Sequence, residues 1–173
     1  FCQTFPQNYK APIFNAGTVT FDGTGSVSIP SSQAPAPGET SVLQYNNLKI
    51  RGNRGENTYV TLDPTDEIRI GGNLDISGLQ FAANPVSERF LVTGSNVVFN
   101  GMSDQIIQTG YPAPAALEYR MKFHDLTIDG AGTKTLADPN DSDPLEDYVL
   151  VRNNVYLKNA TLAADTYDMR VLF

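Results

Sequence analysis

Short runs of alternating apolar and polar residues occupy most of this chain. In each run the apolar side chains fall on one side of an extended backbone, which is typical of a β-strand with one buried face. Turn-forming residues separate the runs: Gly23-Thr24-Gly25, Asp63-Pro64, Gly71-Gly72-Asn73, Gly130-Ala131-Gly132 and Asn153-Asn154. The pattern predicts no helix, and it predicts strands over 18–21, 26–29, 48–51, 59–62, 68–70, 74–76, 126–128 and 155–157.

The apolar positions also repeat, at an offset of 78 residues. Tyr45 is matched conservatively by Phe123, whereas the polar residue Asn46 is matched by His124. The positions that recur are Val19, Phe21, Gly23, Ile29, Leu48, Ile50 and Gly52, which return as Val97, Phe99, Gly101, Ile107, Leu126, Ile128 and Gly130. Because the copies agree at packing positions and differ at polar ones, the repeat indicates a unit kept for its shape. We expect Phe21 and Phe99, and likewise Tyr45 and Phe123, to occupy equivalent core positions.

The repeat sets the predicted domain organisation. In the second half of the unit the offset becomes 81, where Ile68 and Ile70 meet Val149 and Val151. The last residues resemble the lead-in to the second copy, so a further unit is expected to start there. The prediction is a lead-in segment over 1–16, one repeat unit over 17–94 and a second over 95–173, within a fragment of a longer chain.

Two all-β architectures share this strand spacing. One is a right-handed parallel β-solenoid, in which 78 residues would form about three coils of roughly 25 residues each. The other is a tandem pair of immunoglobulin-like β-sandwiches. The strands are short, and an apolar triplet, a Gly or Asn turn and another apolar triplet recur within one unit, as over 68–76. These features favour the solenoid, in which Asn side chains at the corners can bond from coil to coil.

Composition excludes several functional classes. The net charge of −7 argues against a nucleic-acid partner, because phosphate binding needs a basic surface. The single cysteine, Cys2, excludes an internal disulfide framework. No apolar run approaches the roughly 20 residues that a membrane-spanning helix needs. The acidic, turn-rich composition suits an extracellular protein.

The motifs resemble a known group of repeats. Gly17-Thr18-Val19-Thr20-Phe21-Asp22-Gly23, Tyr45-Asn46-Asn47-Leu48-Lys49-Ile50 and Gly72-Asn73-Leu74-Asp75-Ile76 are similar to the repeat of very long secreted surface proteins of Bacteroidetes-type bacteria. The resemblance runs from about residue 17 to the end. It implies a parallel β-helix stalk, exported to the cell surface by a dedicated outer-membrane route, often type IX secretion, and used in adhesion or gliding motility.

Two long insertions depart from that repeat, one from Pro30 to Val42 and one from Gln108 to Met121. Each contains a proline-alanine run, and proline withholds a hydrogen-bond donor from a strand ladder. We therefore expect loops that protrude from one side. Tyr111 and Tyr119 are their candidate contact residues for a surface or glycan partner, and the alternative is a tolerated surface insertion.

An acidic segment over 138–147 carries the only metal-ligand chemistry in the sequence. Asp138, Asn140 and Asp143 offer the hard oxygen ligands that Ca²⁺ prefers. Asp143 stands where an EF-hand loop requires glycine, and Val149 stands where it requires glutamate. A solvated turn is favoured over a calcium site, and no other cofactor is predicted.

The predicted function is structural. The chain is expected to be a non-enzymatic stalk or adhesin segment at a bacterial surface, whose partners are neighbouring repeats and surface glycans. One alternative is a carbohydrate-binding or fibre module. Another is a β-helix polysaccharide lyase or hydrolase, but the carboxylates lie mostly in turns and the single histidine, His124, is better explained as a surface polar residue.

Overall fold

The chain folds as a β-solenoid. The structure, a computed structural model, describes residues 17–30, 44–64, 67–81, 89–108, 122–137, 148–164 and 170–172. Within these ranges there is no helix, and every strand pairing is parallel. The all-β solenoid prediction is therefore confirmed, and tandem sandwiches, which are built from antiparallel pairs, are excluded for the described residues.

Strands follow one another at short intervals in the described residues. They are β1 (Thr18–Phe21), β2 (Val27–Ile29), β3 (Gln44–Tyr45), β4 (Asn47–Ile50), β5 (Gly52–Arg54), β6 (Val60–Leu62), β7 (Glu67–Ile70), β8 (Leu74–Asp75), β9 (Leu79–Phe81), β10 (Phe90–Leu91), β11 (Asn96–Phe99), β12 (Gln105–Gln108), β13 (Lys122–Ile128), β14 (Thr133–Ala137), β15 (Tyr148–Leu157), β16 (Thr161–Ala163) and β17 (Arg170–Leu172).

Two long parallel sheets run the length of the described fold. Sheet 1 has the order β1-β4-β8-β12-β14-β16, and sheet 2 has the order β3-β7-β11-β13-β15-β17. A third sheet, β2-β6-β10, and the pair β5-β9 accompany the earlier strands. The chain thus visits sheet 1 and then sheet 2 in turn, and we call each such passage a rung.

The core lies between the sheets, where the inward side chains of successive rungs stack in columns. In sheet 1 the register places Leu48 over Leu74, Leu74 over Ile107 and Ile107 over Leu136. In sheet 2 it joins Ile70, Phe99 and Ile128, all 0% exposed. Burying one such aliphatic side chain contributes about 1.5–3 kcal/mol, so the columns are the main source of stability.

One expectation about the repeat is wrong. Tyr45 and Phe123 do lie in the same sheet, in β3 and β13, but Phe21 is in sheet 1 and Phe99 is in sheet 2. In sheet 1, Val19 is followed in register by Leu48, Leu74 and Ile107. No residue of this column therefore lies 78 residues after Val19. The rungs vary in length, so an offset that is constant in sequence falls on different sheets.

The repeat nevertheless preserves one local contact. The rings of Phe21 and Tyr45 meet edge to face with centroids 6.3 Å apart, and those of Phe99 and Phe123 do so at 6.4 Å. Both pairs are related by the 78-residue offset. The repeat therefore conserves an aromatic contact, but the contact lies within one rung for Phe21 and Tyr45 and between successive rungs of sheet 2 for Phe99 and Phe123.

Strand pairing also runs across the predicted unit boundary at 94/95. The first strand beyond it, β11, pairs with β7 on one side and β13 on the other. The predicted turn at Asn153-Asn154 is wrong, because both residues lie inside β15. Asp125 accepts hydrogen bonds from both asparagines, which holds them in the strand rather than in a turn.

Candidate functional site

Several predicted site residues lie outside the described residues. These are the calcium candidates Asp138, Asn140 and Asp143, the loop residues Tyr111 and Tyr119, and Cys2. Most of both insertions lies there as well. Those assignments stay predictions. In the described residues, the polar side chains that could bind a ligand or act in catalysis lie at the corners and on the outer faces.

The most elaborate polar site surrounds a buried lysine. Lys134 lies in β14 at an inward position and is 0% exposed. Its ammonium donates hydrogen bonds to the carbonyl oxygens of Gly101 and Ser103, both at 2.9 Å, and of Ala131 at 2.5 Å. Those carbonyls belong to the corners that follow β11 and β13. One side chain therefore satisfies three acceptors from two successive rungs.

Gln105 has the same role one rung earlier. It pairs with Lys134 in the register of β12 and β14. Its amide nitrogen donates to the carbonyl oxygens of Ile70, at 3.0 Å, and Gly72, and its amide oxygen accepts the Gly101 N–H at 2.9 Å. The side chain thus supplies both a donor and an acceptor to buried corner backbone.

A third buried residue caps the corner after β1 and β4. Arg54 donates from its guanidinium to the carbonyl oxygens of Phe21 at 3.3 Å, Arg51 at 3.1 Å and Gly25. Burial lowers the pKa of Arg54, while the nearby Asp22 opposes that change. We call Arg54, Gln105 and Lys134 the capping residues, because each reaches inward and donates hydrogen bonds to backbone carbonyls at the corners.

Side chains at the entry to sheet 1 form a ladder between rungs. Asn47 Oδ1 accepts the Asn73 N–H at 2.8 Å, and Asn73 Oδ1 accepts the Ile106 N–H at 2.8 Å. Asp104 Oδ1 accepts the Thr133 N–H at the same distance. The expected coil-to-coil bonding of corner asparagines is confirmed at these positions.

The corner after β13 requires a glycine. Gly130 has a φ of +84°, and a Cβ placed on it would collide with the carbonyl oxygens of Gly101 and Asn100 in the preceding rung. An L-amino acid side chain disfavours that conformation, and the close approach of the two rungs leaves it no space. The glycine therefore sets how closely the corners stack.

Ion pairs join neighbouring rungs on the outer face of sheet 1. Lys49 Nζ lies 2.6 Å from Asp75 Oδ2, and Arg51 lies 2.8 Å from Asp22. Burial alone would raise the pKa of Asp75, but hydrogen bonds from Lys49 and Ser77 outweigh it and the pKa lies below its ordinary value. Half-exposed pairs of this kind add little stability and mainly favour one register.

The single histidine contacts a carboxylate at the entry to sheet 2. His124 Nδ1 lies 3.0 Å from Asp125 Oδ2. The other oxygen, Oδ1, accepts from Asn153 Nδ2 at 2.9 Å and from the backbone N–H and Nδ2 of Asn154 at 3.1 Å. Burial acts to raise the pKa of Asp125, but these hydrogen bonds outweigh it and hold the pKa below its usual range.

Asp125 accepts hydrogen bonds on both oxygens, and its bonds to Asn153 and Asn154 cross-link β13 to β15. Among the described residues no group of three His, Cys, Asp or Glu side chains is placed to hold a metal ion. The described segments also include no helix with the length and apolar character that crossing a membrane requires.

Sequence reasoning did not identify the capping residues. A signal was present, because Lys134 occupies the inward place in Thr133-Lys134-Thr135-Leu136, where alternation calls for an apolar residue. Such a polar residue a few positions after a glycine corner indicates a cap. The chain was also compared with known proteins: no family model, curated protein or solved structure matches it.

Proposed function

We propose that this chain is a structural and adhesive segment of a secreted or cell-surface bacterial protein. In this role the solenoid is an extended stalk, and the insertions over 30–42 and 108–121 are the parts that contact surfaces or glycans. The proposal agrees with the resemblance of the repeats to surface proteins exported by type IX secretion. Its partners would be neighbouring repeats along the stalk and glycans at the loops.

One observation carries the proposal: the polar groups placed by the structure bond rung to rung. Lys134, Gln105 and Arg54 satisfy corner carbonyls, and Asn73 and Asp125 bridge successive rungs. Enzymes leave such groups open toward a substrate, whereas here they are consumed in holding the stack together. A column whose described corners are cross-linked in this way suits a spacer that resists extension.

A glycan array tests the adhesive part of this proposal. The intact chain is compared with a variant in which residues 32–41 and 110–120 are each replaced by a short Gly-Ser linker. We expect the intact chain to bind a subset of glycans, and the loop-shortened variant to lose that binding while keeping its β-sheet circular dichroism. Binding that persists without the loops, or no binding by the intact chain, would contradict the adhesive role.

The same samples test the enzymatic alternative. Each protein is incubated with acidic polysaccharides, and new reducing ends and unsaturated products are measured. We expect no turnover by either protein. Turnover that disappears when Asp125 is replaced by Asn would instead establish a lyase or hydrolase and overturn the structural proposal.

A further inference from the structure

The corner after β11 contains the only Asn-Gly step in the sequence, Asn100-Gly101. In an unfolded chain this dipeptide deamidates readily, because glycine has no Cβ to hinder the approach of its amide nitrogen to the side-chain carbonyl carbon of the asparagine. The nitrogen bonds to that carbon, ammonia leaves with the amide proton, and water opens the resulting succinimide ring to aspartate or isoaspartate. The corner lies in the middle of the described fold, since β11 pairs with a strand on each side.

The packing of the corner requires both residues of this step. A Cβ placed on Gly101 would collide with the carbonyl oxygen of Gly71 in the preceding rung and would lie 2.8 Å from Gln105 Oε1. Asn100 is engaged as well, because its Nδ2 donates to Gln44 Oε1 at 3.3 Å, two rungs away. The fold therefore keeps a chemically reactive dipeptide at a position where neither residue is easily replaced.

Gln105 holds the nitrogen that would attack. Its side-chain oxygen accepts the Gly101 N–H at 2.9 Å in a buried hydrogen bond, and the nitrogen must give up that proton to react. The backbone on either side is fixed too: the Asn100 N–H donates to the Ile70 carbonyl at 3.1 Å, and the Gly101 carbonyl accepts the Ala131 N–H at 3.0 Å. Rotating the peptide toward the asparagine side chain would therefore break bonds to both neighbouring rungs.

The side-chain carbonyl that would be attacked is not activated in the folded chain. Asn100 Oδ1 is buried and finds no hydrogen-bond donor among the described residues. A donor at that oxygen would draw electron density from the carbonyl carbon and so assist the attack. Burial of the oxygen also limits the approach of the water that opens the ring. Both partners of the reaction are thus present in the corner, and the fold holds each of them in an unreactive state.

We propose that Asn100-Gly101 is a latent deamidation site, which the hydrogen bond from the Gly101 N–H to Gln105 keeps unreactive while the corner is closed. When the corner opens, Asn100 converts to aspartate or isoaspartate. Aspartate places a carboxylate beside Asp129, which continues the register in the next rung, and isoaspartate lengthens the backbone of the corner by one carbon. Neither product restores the original stack, so the site records opening of this rung irreversibly. The proposal rests on the corner and does not depend on the adhesive role.

A substitution at Gln105 tests this inference. Gln105→Lys removes the acceptor of the Gly101 N–H but keeps a donor for the corner carbonyls, because Lys134 holds the equivalent place in the next rung and donates to three such carbonyls. Lys134→Met is the matched control, since it disturbs the same corner but leaves the bond between Gln105 and Gly101 in place. Each folded protein is incubated in mildly alkaline buffer, and mass spectrometry of proteolytic peptides measures conversion of Asn100 to aspartate and isoaspartate.

We expect the wild type to deamidate much more slowly when folded than when unfolded in guanidinium chloride. In folded Gln105→Lys the rate should rise by about tenfold or more, as local opening does when a buried hydrogen bond is lost, and in Lys134→Met it should rise less. Circular dichroism verifies that both variants fold. Equal rates in folded and unfolded wild type would overturn the proposal, and that comparison needs no variant. An unchanged rate in folded Gln105→Lys, or an equal rise in Lys134→Met, would overturn it too.

Discussion

At the residue scale, Lys134 shows how this chain uses charge inside its core. A lone ammonium in an apolar interior is costly, but three carbonyl oxygens surround this one. Those carbonyls lie at glycine-rich corners, where the strand ladder has ended. The carbonyl dipoles thereby surround the buried charge, and the ammonium supplies a hydrogen-bond donor to all three oxygens.

Replacing that lysine should therefore be costly. Lys134→Met keeps the length and apolar stem but removes the ammonium that donates to the carbonyls of Gly101, Ser103 and Ala131, of which Gly101 keeps the Ala131 N–H. We expect a loss of about 2–4 kcal/mol in unfolding free energy, since each unsatisfied buried group costs about 1–3 kcal/mol. Urea denaturation measures it. Lys49→Met is the control on the outer face, with an expected loss of at most about 1 kcal/mol; equal losses would contradict the capping role.

Asp125 predicts an acid-dependent stability. Its pKa lies below the ordinary value in the folded state, since hydrogen bonds from His124, Asn153 and Asn154 outweigh the effect of burial. A carboxyl with a lowered folded pKa stabilises the fold above its unfolded pKa, about 3.9, and loses that contribution as the pH falls through the folded pKa. At pH 7 the wild type should therefore have a larger unfolding free energy than Asp125→Asn.

That gap should narrow as the pH falls below about 4, where the carboxyl becomes protonated. Denaturant unfolding at a series of pH values measures it. Glu56→Gln, at an exposed turn, controls for the change in net charge. A gap that stays constant from pH 7 to the acid limit would show that Asp125 does not stabilise the fold through its charge.

At the scale of the element, corner and strand depend on each other. A strand of three or four residues supplies few ladder bonds, so the ends of neighbouring strands are joined by side chains. Asn73 shows this: its Oδ1 accepts the Ile106 N–H of the next rung, and its own N–H donates to Asn47 Oδ1 of the rung before. Its role in the ladder depends on the acceptor oxygen of its side chain.

Asn73→Ala should therefore free the Ile106 amide. We expect a loss of about 0.5–1.5 kcal/mol, the usual net value of one hydrogen bond, and faster hydrogen exchange at Ile106. Asn73→Asp keeps the acceptor and should retain the protection, as Asp104 does for Thr133. Equal exchange rates at Ile106 in the Ala and Asp variants would show that the ladder bond is not formed.

The core column makes a stronger prediction. Phe99 is 0% exposed and packs edge to face on Phe123. Phe99→Ala should open a cavity and cost about 3–5 kcal/mol. Tyr156→Ala removes an aromatic ring of similar size from the outer face and should cost less than about 1 kcal/mol. Thermal unfolding compares the two, and an unchanged midpoint for Phe99→Ala would contradict the inward assignment.

Alternation predicted several strands that bury apolar residues, but it missed others of that kind, β9, β10 and β11, as well as strands that bury polar residues. The runs at 18–21, 68–70 and 74–76 coincide with β1, β7 and β8 within a residue. The strands β12 and β14 went unnoticed, because Gln105 and Lys134 hold inward positions and Ile106 points outward. The carbonyls that a capping residue reaches are determined by which corners lie close together in the fold. Those corners are far apart in the sequence, so a local pattern does not predict them.

At the scale of the whole molecule, parallel strand pairing continues across the boundary between the two predicted repeat units. Some residues that match at an offset of 78, such as Phe21 and Phe99, lie on different sheets, because the number of residues per rung changes along the chain. What recurs is the rung, and in the described residues strand pairing joins each rung to the rungs before and after it. Stability should then be a sum of rung terms and nearest-neighbour terms, as in other repeat proteins.

Nuclear Overhauser contacts of the Val97 backbone test this continuity most directly. In a parallel solenoid Val97 lies between Ile68 of the rung before and Leu126 of the rung after. We predict cross-peaks from the backbone protons of Val97 to those of both neighbours in labelled protein. Antiparallel contacts, or contacts that stop at the 94/95 boundary, would contradict the solenoid and support two separate domains.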